Sequence, residues 1–278
     1  MQYLEPIDTE SPEFGDLYDE LPLWSAPFGL MLLDRVEVRR GITILDVGAG
    51  TGFLSIELAQ RCGADAVVIA VDPWDAAMAR LKRKLHHMGI HNVRTVVSSV
   101  VDLDLPDASA DLIVSNLGIN NFQEPEAALR SCFRIAKPGA KLFLATNLAG
   151  HMEEFYQAYR SVLLELGFSE QLTALDEHVN HRATVDSVRA LLERAGFDFM
   201  DAAHCSFRER FADGSSLLRH HFMRLAFMPA WKNLAPPGHI ERTFAALEHR
   251  LNSIAAERRE LSLSIPAACI QACKPGIS

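Results

Sequence analysis

The sequence predicts an α/β chain built on a doubly wound, mostly parallel sheet, with helical insertions late in the chain. Short apolar runs alternate with helical patterns from residue 41 to 146, the rhythm of parallel βαβ units with both sheet faces covered. The turn after the first run carries Gly48, Gly50 and Gly52 at every second position. Beyond Thr146 an aromatic helical period breaks the alternation, and strand-like runs return only at Asp198 and Ser264.

Gly41 to Val47 reads as the first buried strand and Thr51 to Cys62 as the helix that follows. Ala66 to Asp72 is a second strand, Trp74 to Met88 a helix with Arg and Lys outside, and Asn92 to Val97 a third strand. Asp111 to Asn116 is a fourth, introduced by the turn-forming PDASA. Glu124 to Ile135 makes a helix stopped at Lys137-Pro138-Gly139, and Ala140 to Thr146 is a fifth strand.

Met152, Phe155, Tyr156, Tyr159, Val162, Leu163 and Leu166 then recur at helical spacing. Ser169 to Thr184 reads as loop and short helix, Thr184 to Ala195 as a sheet-packing helix, and Asp198 to Phe211 as a sixth strand. Ser215 to Phe227 and Ile240 to Glu260 are two more helices, with MPAWKNLAPPG between them as a proline-rich turn. Ser264 to Cys273 is the last strand.

This gives a helical lid segment at 1–39, a core at 40–147, a first cap insertion at 148–183 and a core continuation at 184–211. A second cap insertion at 212–262 precedes the last core strand and tail at 263–278. Both insertions leave beyond the fifth strand and are expected to form one shared cap; the alternative is that they widen the core.

The 278 residues are 49% hydrophobic and 23% charged, enough for a sizeable buried core. A net charge of -9 without a basic run speaks against a nucleic-acid partner. No apolar stretch approaches the roughly 20 residues of a membrane span, and the acidic N-terminus lacks the basic and apolar regions of a signal peptide. Five scattered cysteines without CxxC spacing fit a reducing, cytoplasmic setting. Cys269 and Cys273 share a strand face, either as a thiol pair or as buried small side chains. No metal site is expected, since His178-x-x-His181 has ligand-like spacing without further ligands to complete it. Oligomeric state is not readable.

In a doubly wound sheet ligands sit beyond the strands' carboxyl ends, where strand order reverses. Glycines there let a ligand approach the backbone, and the helix start beyond supplies free N–H groups. The dinucleotide pattern G-x-G-x-x-G would need glycine at 53, where Phe53 stands. Asp46 precedes the turn and could accept from an α-ammonium group; Asp72 ends the second strand and can take both hydroxyls of a ribose. An amino acid at one end and a ribose at the other describe S-adenosylmethionine.

At ILDVGAGTG, VIAVDP, LPDASADLIVSN and RIAKPGAKLFLATN the sequence resembles the class I S-adenosylmethionine-dependent methyltransferases over about residues 40–147. The resemblance implies a Rossmann-like, seven-stranded sheet whose last strand runs antiparallel. It implies S-adenosyl-L-methionine as cofactor, with Asp46, Gly48, Ala49, Gly50, Thr51 and Gly52 near its methionine part and Asp72 on the ribose. Pro73 and Trp74 follow Asp72, and Trp74 with Met78 either flanks the adenine or belongs to the core. An acidic residue often ends the third strand in relatives. Here either Asp102 is displaced, or Ser99 and the Val100 amide take that place.

Methyl transfer is an in-line displacement that needs the acceptor held about 3–3.5 Å from the methyl carbon, in a dry site. Asn116 and Leu117, at the end of the fourth strand, should border the sulfonium. Asn120 and Asn121 either orient the acceptor or make a turn. The proline-aromatic signature of DNA amine methyltransferases is missing there. Upstream, Tyr18 and Trp24 are pocket candidates if their segment folds over the cofactor, and edge packing if it does not. Phe155, Tyr159 and His178 complete the expected substrate pocket. Candidates for a catalytic role are Tyr18, Asn120, His181 and His221, histidine being the side chain that titrates near neutrality. The expected reaction moves a methyl group to O, S or C of a small, partly hydrophobic molecule. The rivals are a non-catalytic S-adenosylmethionine-binding protein and a nucleotide-dependent dehydrogenase.

Overall fold

The structure is a computed structural model that describes residues 1–7, 16, 19 and 23–276. In chain order the first elements are α1 (Ala26–Arg35), β1 (Thr43–Val47), α2 (Phe53–Cys62), β2 (Val67–Asp72) and α3 (Asp75–Met88). Next come β3 (Val93–Val97), β4 (Ala110–Asn116), α4 (Pro125–Ile135) and β5 (Ala136–Asn147). They are followed by α5 (Glu153–Glu165), α6 (Leu172–Asn180), α7 (Val185–Ala195) and β6 (Asp198–Phe211). The chain closes with α8 (Gly214–Arg219), α9 (His221–Ala226), α10 (Met228–Asn233), α11 (Ile240–Arg258) and β7 (Leu261–Cys273).

The seven strands are ordered β3-β2-β1-β4-β5-β7-β6. β1 pairs in parallel with β2 on one side and with β4 on the other, so strand order reverses beside β1. β7 runs antiparallel to β5, with Ala145 opposite Cys269. Ile44 and Leu45 of β1 and Val68 and Ala70 of β2 are buried, as strands covered on both faces require.

Two compact units divide the chain. The sheet unit comprises Glu10–Asn147, Thr184–Cys205 and Ala267–Ser278. Within it α1 packs on β4 and β5, and α4 packs on α7. Thr184 and Ser187 form a reciprocal cap at the start of α7, and Phe133 meets Phe197 edge-on, 5.2 Å between centroids. The Phe53 ring occupies the space where a side chain at Gly29 of α1 would stand. The third-glycine position of the dinucleotide pattern is therefore filled here by a packing ring.

The helical unit comprises Met1–Thr9, Leu148–Ala183 and Ser206–Pro266. Its second long segment thus starts at Ser206 instead of 212, and the first residues of the chain join it. α11 packs on α5 and α8 around an aromatic centre. Trp231 stacks on Phe155 at 4.1 Å, and the Tyr159 hydroxyl donates to the Trp231 carbonyl at 3.0 Å. Tyr3 donates to Glu248 at 2.8 Å and ties the chain's start to α11.

Three sequence expectations need correction. The helix read over 215–227 is two helices, because His220 adopts an extended backbone (ψ 126°) that ends α8 and starts α9. The proline-rich turn at 228–238 begins as helix α10, with Pro229 in the first turn, where a missing N–H costs nothing. Lys137-Pro138-Gly139 does not stop before a strand but lies within β5, as an irregularity between the pairs Ala110–Ala136 and Leu112–Lys141.

Candidate functional site

The turn between β1 and α2 is held in a shape that only glycine takes easily. Gly48, Gly50 and Gly52 have φ of 75°, 52° and 88°. The amides of Gly48 and Ala49 both donate to the Val71 carbonyl, at 2.9 and 3.1 Å, which binds the turn to the end of β2. A side chain at Gly52 would overlap Leu81 of α3, whereas one at Gly50 would meet nothing within 4 Å. A side chain at Gly48 would stand 3.1 Å from the Cα of Gly118, so two backbones touch there.

Two carboxylates flank this turn. Asp72 accepts from the Gly50 amide at 2.9 Å and the Trp74 amide at 2.8 Å. Burial nevertheless holds its pKa above the ordinary carboxylate value. Each oxygen retains a second acceptor position. Asp46 is 1% exposed and accepts from the Ser55 hydroxyl at 2.5 Å. Burial pushes its pKa up to about 7; the Ser55 bond opposes that shift and the charge of Asp72 adds to it. The direct ammonium contact expected of Asp46 is not what the geometry displays. Its carboxyl group is buried against the Ser55 hydroxyl, where the protonated form is favoured.

A cavity of about 380 Å³ opens at the carboxyl ends of these strands. Five of the predicted residues line it together: Gly48, Pro73, Ser99, Val100 and Asn121. Asp102 lines it as well, so both alternatives for the third-strand end face one space. Phe122, Gln123 and Glu124 form part of the same lining and were missed. Their signal was available, since they connect the end of β4 to the proline-initiated start of α4. Ala49 and Thr51 are buried in the turn, and Met78 sits in the core with Leu81, Leu85 and Ile56.

At the end of β4, the Asn116 side chain donates to the Ser25 carbonyl at 3.1 Å. Its Oδ1 is buried without a hydrogen-bond partner among the described residues. Leu117 is left-handed (φ 65°) and donates its amide to the Ala145 carbonyl at 2.8 Å. Of the two alternatives for Asn120, the hydrogen bonds favour the turn. Its amide nitrogen donates to Asn147 at 2.7 Å and its oxygen accepts from Thr146, so the side chain fixes a turn.

The remaining candidates divide by unit. Trp24 is half-buried in the sheet unit, 5.9 Å from the Phe28 ring, and Tyr18 lies outside the described residues. Phe155 and Tyr159, expected in the substrate pocket, are fully buried in the core of the helical unit. His178 is engaged by the Tyr156 hydroxyl at 2.9 Å, and its pKa is lowered by burial and by Arg182. His181 is exposed at the end of α6, and His221 is half-buried at the start of α9. Among the described residues no cluster of His, Cys, Asp or Glu could hold a metal ion. None of the described helices is long and apolar enough to cross a membrane.

A doubly wound sheet with a bare, acid-flanked turn at its switch point defines an α/β protein built to hold a nucleoside cofactor. Comparison with known proteins carries this further. A family profile described as a methyltransferase domain matches residues 45–144. The ubiquinone/menaquinone biosynthesis C-methyltransferase UbiE of Salmonella paratyphi B is 31% identical over 179 residues, 61% of this chain and 71% of that protein. Among solved structures, the YcgJ protein of Bacillus subtilis shares the fold with a TM-score of 0.60 at 17% identity, over 91% of this chain and 99% of its own. An S-adenosylmethionine-dependent methyltransferase from Aquifex aeolicus does so with a TM-score of 0.54 at 21% identity, over 69% and 92%. The chain belongs to the class I S-adenosylmethionine-dependent methyltransferases. It is an enzyme, and S-adenosylmethionine is its cofactor.

Proposed function

We propose that this methyltransferase acts on O, S or C of a small, partly hydrophobic molecule, and that carbon is the acceptor atom to test first. The relative that is 31% identical carries the name of a C-methyltransferase, which supports carbon. The observation that carries the site assignment is the turn itself. At Gly50 the backbone is open, and the Asp72 carboxylate stands beside it.

Bound there, the cofactor supplies an electrophilic methyl group on a sulfonium. The chain's own residues bind and orient. The Gly48, Ala49, Gly50 and Gly52 amides already donate within the chain, so the amides at the start of α2 would face the carboxylate of the methionine part. The unused acceptor positions of Asp72 take the ribose hydroxyls. Pro73, Ser99 and Val100 would wall the base, in the cavity that Asp102 also lines. Asn116 places its unsatisfied Oδ1 at the end of β4, where a donor from the cofactor's ammonium group would relieve an otherwise costly buried acceptor.

The test uses methyl-labelled cofactor and a panel of phenols, hydroquinones and thiols. S-adenosylhomocysteine release, with the label found on a ring carbon by NMR, supports C-methylation. Label on oxygen or sulfur moves the assignment to that atom. Cofactor binding without product formation from any panel member refutes this acceptor class.

A further inference from the structure

We propose that Asp19 is a positioning residue for the cofactor turn: its carboxylate ties Thr51 of that turn to Arg80 and Lys84 of α3. The inference rests on reading the 48–52 turn as part of the cofactor site. All four residues belong to the sheet unit.

Asp19 precedes α1 and is distant in sequence from its partners. Its Oδ2 accepts from Arg80 Nε at 2.9 Å and its Oδ1 from Lys84 Nζ at 2.6 Å. The Asp19 side chain is 13% exposed, and those of Arg80 and Lys84 are 28% and 21% exposed. Ion pairs open to solvent contribute little, whereas shielded ones are screened less and hold more firmly. Asp16 and Arg83 make the contrast, since both of those paired side chains are about half exposed. Burial alone would raise the Asp19 pKa, yet bonds from Lys84, Thr51 and Arg80 hold it below the ordinary carboxylate value. The carboxylate is therefore charged at neutral pH and engaged on three sides.

Each part of the turn has its own hold. Gly48 and Ala49 donate to the Val71 carbonyl, and Gly50 donates to Asp72. The last part rests on α3, where Gly52 leaves no room for a side chain beside Leu81. Leu81 directly follows Arg80 in that helix. Arg80 and Lys84 stand one turn apart on α3, where like charges repel. The Asp19 carboxylate between them removes that repulsion and reaches on to Thr51, which is itself 8% exposed. Thr51 stands two residues before α2, whose first amides the ligand would use. A site made of backbone amides binds more tightly the less freedom those amides lose on binding. Asp19 supplies that stiffness from outside the turn.

Calorimetry with S-adenosylmethionine on the wild type, Asp19→Asn, Thr51→Val and the two combined tests this. Asp19→Asn should weaken binding about fivefold at about 0.02 M salt, and about 0.5 M salt should narrow that gap by screening the ion pairs of the wild type. Thr51→Val should cost a similar factor, and the combined variant should be little worse than either alone, because both break one link. A wild-type affinity in Asp19→Asn, or losses that multiply in the combined variant, would overturn the positioning role and leave Asp19 a counter-ion of α3. Gly50→Val separates this from the underlying reading. If a folded Gly50→Val protein binds normally, the turn is not the cofactor site. If it loses binding while Asp19→Asn keeps it, the site stands and the role of Asp19 falls.

Discussion

The two units use their polar and aromatic residues in opposite ways. In the sheet unit, polar groups gather at the strand ends: Asp72 on two amides, Asn116 with a buried oxygen that has no partner among the described residues, Asp102 and Glu124 in the lining of a cavity. In the helical unit, the aromatic residues turn inward and satisfy one another. Trp231 stacks on Phe155 and Phe227, and its indole N–H donates to Tyr156 at 3.3 Å. The sheet unit leaves hydrogen-bonding capacity at the strand ends, while the aromatic centre of the helical unit uses its own in packing. An aromatic-rich, histidine-rich sequence is thus no guide to a pocket unless its helical period is separated from its chemistry.

Substitutions can break this contrast. Trp231→Ala should be the most damaging, destabilising the chain by about 3–5 kcal/mol through the cavity it leaves, read by thermal or chemical denaturation. If it proves harmless, the aromatic centre is not a core. Gly50→Val should weaken cofactor binding about a hundredfold, because the added branches enter the space a ligand needs and the residue must hold a positive φ. A titration of the folded variant checks it. Asp72→Ala should cost more than about tenfold in cofactor affinity, the loss of charge-assisted bonds to the ribose; an unchanged dissociation constant would remove Asp72 from that role.

The smallest effect is one of pH. The fold raises the Asp46 pKa from 3.8 to about 7, so it favours the protonated acid. The stability this gives is complete below about 3.8 and is lost as pH rises through about 7. A cation in the cleft favours the ionised form, so the cofactor linkage has the opposite sign. Affinity should fall severalfold between about pH 8 and pH 6, and Asp46→Asn should flatten that profile. A wild-type profile already flat over this range would sink the linkage.

The sheet was legible because parallel strands covered on both faces must be continuous apolar runs, and 41–47, 66–72 and 140–146 are such runs. The glycine turn was legible because its spacing states a backbone requirement that the positive φ values meet. The break at His220 was hidden, since Leu217, Leu218, Phe222 and Met223 are all buried and the apolar period runs through it. The proline at 229 misled because proline serves a helix's first turn as readily as a loop. Phe155 and Tyr159 obeyed the helical period that marked them as core; the substrate role given to them ignored that signal. Asn120 could be weighed but not decided, because its two partners, Thr146 and Asn147, are distant in sequence.

The side-chain stitch at Asn120 bears on how this enzyme could be re-engineered. It clamps the short 3-10 turn Gly118–Asn121 to the tip of β5, while Gly118 presses its backbone on Gly48. Positions 48, 118 and 120 act as a fixed frame that a combinatorial library should leave untouched. Asn121, Phe122 and Gln123 hang from that frame into the cavity, so diversity placed at those three codons would reshape the opening without loosening its hinge points.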